Sequence, residues 1–106
     1  YGWRGLGFFL MKETIYLSSL YDYYYKLLTE KQKQIFEDYY FNNLTLSEIA
    51  ENYGISRNAV HKTLKEVENK LNDYESKLKL LERYDKIKEI VDELDENVKN
   101  KILDLL

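Results

Sequence analysis

An all-α fold is what this sequence predicts, and three observations carry the prediction. Helix breakers are nearly absent: there is no Pro, and the four glycines are Gly2, Gly5, Gly7 and Gly54. Apolar residues recur at steps of three and four through most of the chain. Thr29, Thr45 and Ser56 each stand immediately before such a periodic run, where a side-chain oxygen can accept a free helix-start N–H. At 106 residues the chain is one domain, or one domain with a helical extension.

The elements follow in order. A first helix is expected from about Glu13 to Leu28, with Leu17, Leu20, Tyr21, Tyr24, Leu27 and Leu28 on its apolar face. A second begins after Thr29, whose spacing to Gln32 is that of a capping box. Its buried face is Ile35, Phe36, Tyr39 and Tyr40, and Asn42 and Asn43 suit its end. A short third helix follows Thr45, which forms a second capping box with Glu48, and Leu46, Ile49 and Ala50 face inward. Gly54 supplies a tight turn and Ser56 caps a fourth helix.

That fourth helix has no clear stop. Val60, Leu64, Val67, Leu71, Tyr74, Leu78 and Leu81 form a heptad stripe over about three heptads. The register slips near Tyr84 and resumes with Ile87, Val91, Leu94, Val98, Ile102 and Leu105. A slip without Gly or Pro is a stutter, a kink or a break, and the sequence leaves the three open. The stripe beyond Tyr74 either folds back on the first helix or pairs with a second chain; a homodimer is the favoured expectation, because paired motifs fit two half-sites.

Composition removes several function classes. There is no Cys, so disulfides and thiolate metal sites are impossible. His61 is the only His and makes no metal site by itself. No Gly-rich phosphate loop or nucleophile elbow is present, and the paired carboxylates Asp92/Glu93 and Asp95/Glu96 sit in a highly charged tail; neither catalysis nor a cofactor is expected. No apolar run is long enough to span a membrane. Residues 1–10, "YGWRGLGFFL", differ from the rest and are expected to be a non-native leader before a start at Met11; their apolar stretch is short for a signal peptide. Residues 11–83 are the expected core domain, and 84–106 an acidic amphipathic helix for packing or dimerisation.

The stretch "TLSEIAENYGISRNAVHKTL" (45–64) has the shape of a helix-turn-helix. Ala50 is small where the two helices must cross, and Gly54 gives the turn its freedom. Ile55, Val60 and Leu64 pin the second helix, and Ile49 and Tyr53 close the other side. If that helix enters a major groove, its outward residues are Arg57, Asn58, His61, Lys62 and Lys65. Arg pairs with guanine, Asn with adenine and Lys with phosphate, while Ser56 and the helix-start amides suit a phosphate oxygen. The charge argues for caution: the sequence pI is about 5.2, and Glu66 and Glu68 interrupt the basic run. Residues 84–106 carry four lysines against seven carboxylates, so the acidity lies in the tail. Tyr21, Tyr23, Tyr24 and Tyr25 are expected to pack, with Tyr23 the best candidate for an exposed ring.

Together "LTEKQKQIFEDYY" and "LTLSEIAENYGISRNAVHKTL" resemble region 4 of the sigma-70 class. From Met11 onward, "SLYDYYYKLLTEKQ", "YYFNNLTLSEIAENYGISRNAVHKTLK" and "YESKLKLLERY" resemble the YlxM family, small bacterial helix-turn-helix proteins encoded beside components of the signal recognition particle. The resemblance implies a three-helix DNA-binding core of the sigma-70 region 4 or winged-helix kind, without a wing, carrying a long C-terminal helical extension. It also implies a cytoplasmic accessory or regulatory factor of the signal recognition particle pathway. Two functions compete: a regulator that binds duplex DNA, and an adaptor that contacts the particle's protein or RNA without reading DNA.

Overall fold

The computed structural model describes the backbone from Gly2 and the side chains from Leu10 to Leu106. Six α-helices make up the described chain, with no strand among them: α1 (Gly2–Tyr24), α2 (Glu30–Tyr40), α3 (Leu46–Tyr53), α4 (Arg57–Leu78), α5 (Leu80–Val91) and α6 (Glu96–Leu103). The all-α, wingless helix-turn-helix expectation is met.

Helix starts follow the sequence chemistry closely. Thr29 and Gln32 form a complete capping box on α2, and Thr45 and Glu48 one on α3. The Ser56 hydroxyl accepts the Ala59 N–H at 3.0 Å at the start of α4. Gly54 ends α3 in the left-handed region at φ 65°, and the following Ile55 N–H donates to the Ala50 carbonyl. Asn43 takes the same region, φ 59°, in the turn after α2.

α4 is the spine. Its first half contributes Val60 and Leu64 to a cluster with Ile35, Ile49 and Ala50, the core of the helix-turn-helix. Its second half contributes Val67 and Leu71 to a cluster with Leu17, Leu20, Tyr21, Tyr24, Leu28 and Phe36. Tyr40 packs against both, and its hydroxyl donates to Glu68 at 2.7 Å. The motif's angle is thereby tied to the position of α1.

Several expectations are corrected. The first helix is α-helical only to Tyr24, then tightens into a 3-10 turn, Tyr25–Leu27. That tightening rotates Leu27 out to 52% exposure instead of adding it to the apolar face. It also turns Tyr25 outward, whereas Tyr23, expected to be exposed, packs against Tyr84 of α5. Tyr39 is exposed beside the buried Phe36 and half-buried Tyr40. The fourth helix does stop, at Leu78, because Lys79 adopts the left-handed region at φ 56°. The break falls ahead of the register slip at Tyr84. Residues 84–106 are not one helix: α5 ends at Val91, and Asp95 caps α6 through the N–H groups of Asn97 and Val98.

The break sends α5 back along α1. Tyr74 and Leu81 pack on the α1 cluster, so this part of the stripe is covered within the chain. The expected leader, residues 1–10, lies outside the described side chains except for Leu10; the helical backbone of α1 begins at Gly2.

Candidate nucleic-acid interface

The helix-turn-helix places its second helix by apolar contacts on one side and leaves the other side open. Ile49, Ala50, Val60 and Leu64 are buried, and Ile55 and Tyr53 close the edge. Tyr53 is also fixed by its hydroxyl, which donates to Asp38 of α2 at 2.8 Å. Burial first, and this hydrogen bond second, raise its pKa. These groups leave α4 little freedom to rotate about its axis.

Ser56, Arg57, Asn58, His61, Lys62 and Lys65 are all exposed at the start of α4. Asn58, Lys62 and Lys65 fall at i, i+4 and i+7 and share one stripe. Arg57 and His61 share the neighbouring one. Arg57, Asn58, His61 and Lys62 make no side-chain hydrogen bond or ion pair among the described residues, so their donors are free for a ligand. Ser56 uses its oxygen as the cap acceptor, which still leaves the hydroxyl proton to donate.

Lys65 differs. Its ammonium lies 3.2 Å from Glu68, whose other oxygen takes the Tyr40 hydroxyl. Glu68 is therefore turned toward the core, and its charge is shared between Tyr40 and Lys65. Burial, then the Glu68 hydrogen bond, push the Tyr40 pKa well up. Glu66 remains exposed close to the Lys62 stripe, and further along Asp73 is paired with Lys77 at 2.9 Å. The basic footprint is thus confined to the first two turns of α4, where a helix start also presents N–H groups to an anion.

Sequence reasoning missed two neighbours of this surface. Tyr39 and Asn43, on the far side of Arg57, line one groove with it. The signal for Asn43 was its left-handed turn position; for Tyr39 there was none, since it keeps helical spacing with Phe36 and Tyr40. Among the described residues no group of three or more His, Cys, Asp and Glu is arranged to hold a metal ion. No described helix is long and apolar enough to cross a membrane.

The family profile described as "Putative helix-turn-helix protein, YlxM / p13 like" (UPF0122) matches residues 11–104. A UPF0122 protein of Malacoplasma penetrans is 47% identical over 81 residues, covering 76% of this chain and 76% of the relative. One of Halalkalibacterium halodurans is 40% identical over 89 residues, covering 84% and 82%. One of Thermoanaerobacter is 42% identical over 84 residues, covering 79% and 72%.

Proposed function

The chain belongs to the UPF0122 family of YlxM/p13-like helix-turn-helix proteins, and from that premise we propose that it is a DNA-binding accessory or regulatory factor whose α4 enters the major groove. The observation that carries this reading is the set of unpartnered, exposed donors Arg57, Asn58, His61 and Lys62 on the first two turns of a helix held by its neighbours. Arg57 and Lys62 would supply most of the attraction to phosphate, and Asn58 would face a base edge. The acidic remainder makes this binding weak for a single copy. A homodimer offering two half-sites is the form we propose for tight binding. Exposed Leu94 and Val98 on the C-terminal helical arm leave apolar surface for such pairing.

The resemblance to the YlxM family supports a role in the signal recognition particle pathway, in the cytoplasm, with genes for the particle's components as candidate targets. Residues 11–83 would be the DNA-binding unit and 84–106 the packing or dimerisation element. A second reading, an adaptor that touches the particle's protein or RNA, is favoured by exposed Ile90 and Leu105 beside the carboxylates of the C-terminal arm.

Fluorescence anisotropy of generic and promoter-region duplexes at low and moderate salt tests the first reading. Binding that weakens steeply with salt and is lost in Arg57→Ala/Lys62→Ala supports it. No binding at low salt removes it, and co-elution with the particle's protein or RNA would then support the adaptor.

A further inference from the structure

Arg57 stands apart from the stripe of Asn58, Lys62 and Lys65. It lines an open groove of about 490 Å³ whose other walls include Tyr39, Asn43 and Thr45. Within this groove the guanidinium of Arg57, the phenol hydroxyl of Tyr39 and the carboxamide of Asn43 have no side-chain hydrogen bond or ion pair among the described residues. The other polar side chains on its walls are engaged: the Tyr40 hydroxyl donates to Glu68, the Thr14 hydroxyl donates to the Leu10 carbonyl, and the Thr45 oxygen accepts the Glu48 N–H, keeping only its proton to donate. No carboxylate lines it, in contrast to the groove between α2 and α3, which presents Glu37 and Asp38.

The three free groups differ in kind. Arg57 is a fork of cationic donors. Tyr39 is an aromatic ring held edge-on to Tyr40, centroids 5.0 Å apart at 81°, and still 37% exposed. Asn43 is an amide fixed in a left-handed turn. A phosphate, a base face and a base edge are the respective matches. The volume lies within the range of roughly 300–1,000 Å³ that small-molecule clefts span.

We propose that this groove takes one unpaired nucleotide of the nucleic acid held on α4. Arg57 binds its phosphate, Tyr39 stacks on its base, and Asn43 bonds to the base edge. The proposal rests on α4 being a nucleic-acid surface, but Tyr39 and Asn43 lie outside that surface, so the two ideas separate experimentally.

The test uses the full chain with two DNA duplexes, one fully paired and one carrying a single bulged fluorescent adenine analogue. The bulged duplex should bind about tenfold more tightly, with quenching of the analogue on the tyrosine ring. Tyr39→Leu should abolish both the preference and the quenching while leaving affinity for the paired duplex unchanged; Tyr39→Phe should keep all three. Equal affinity for the two duplexes, or a preference that survives in Tyr39→Leu, overturns the proposal. Binding of the bulged duplex alone keeps the groove and removes the reading of α4 as a duplex reader. Binding of neither removes both.

Discussion

The hydroxyl of Tyr24 donates to the carboxylate of Glu75 across 2.6 Å, joining residues 51 apart in sequence, and the pair caps α5. Leu80 N–H donates to the Tyr24 oxygen at 3.1 Å, and the N–H groups of Leu81 and Glu82 donate to Glu75 at 3.1 and 3.0 Å. The start of α5 has no cap of its own, since Lys79 offers none. A helix start needs partners for its free N–H groups, and here they come from α1 and α4. One buried carboxylate thereby fixes the angle at which the C-terminal arm returns along α1.

Glu75→Ala should therefore be more destabilising than loss of a surface carboxylate. It leaves the Tyr24 hydroxyl and two helix-start N–H groups without acceptors, at a cost on the order of 3 kcal/mol. Tyr24→Phe, which keeps the carboxylate on α5, should cost about 1 kcal/mol. Urea unfolding of the two variants beside Glu89→Ala checks this. A Glu75→Ala loss no larger than that of Glu89→Ala would show the cap to be dispensable.

This cap also marks where sequence reasoning runs out. Thr29, Thr45, Ser56 and Gly54 act on residues within three or four positions, so their roles were legible from spacing alone. Glu75 acts on residues brought near it by the break at Lys79, and the break exists because Tyr24 and Glu75 supply the cap. A lysine in the left-handed region has no local signature. The one clue was a carboxylate flanking the stripe, one turn after Leu71 and next to Tyr74. Tyr23 was misplaced for the same reason, since α5 covers it through Tyr84, while Tyr25 is turned outward by the 3-10 turn at the end of α1. The outward placement of Ser56 and of the five donors at the start of α4 was legible because the motif's apolar pattern fixes which side faces out; the inward turn of Glu68 depends on Tyr40 and was not.

Gly54 offers a test of the motif's turn. A Cβ added there meets nothing within 4 Å, so the obstacle to substitution is the backbone conformation alone. Gly54→Ala should cost about 1–2 kcal/mol, the penalty of an L-residue in the left-handed region. Gly54→Asn should cost less, because Asn tolerates that region. Thermal melts of both variants measure it, and an Ala variant as stable as the parent would argue that the turn can relax.

Stability should fall in alkali. The Tyr24 pKa is raised to about 12, first by burial and then by the hydrogen bond to Glu75. Tyr21 and Tyr40 are raised as well, also chiefly by burial. An unfolded tyrosine titrates near pH 10. Between about pH 10 and 12 the folded chain therefore holds protons that the unfolded chain has released, and stability decreases as pH rises through that window. Below it these groups contribute in full. Melts from about pH 8 to 11, with tyrosinate absorbance followed in parallel, should show a flat region and then a decline. A decline already complete near neutral pH would assign the loss to other groups.

Glu66 tests whether α4 is limited by its own charge. Glu68 is engaged with Tyr40 and Lys65, but Glu66 is exposed one turn after Lys62, where it would repel a phosphate bound on α4. Glu66→Gln removes that repulsion, and Glu66→Lys replaces it with attraction. Each added phosphate contact steepens the fall of log affinity with log salt by about 0.9. Glu66→Lys should therefore bind duplex DNA more tightly at low salt, with a slope steeper by about one such unit, and Glu66→Gln should fall between it and the parent. Glu89→Lys, on α5, controls for net charge alone. If both lysine variants change affinity and slope equally, the gain is a property of total charge and α4 is not the surface that meets DNA; if only Glu66→Lys does, the contact lies on the first turns of α4.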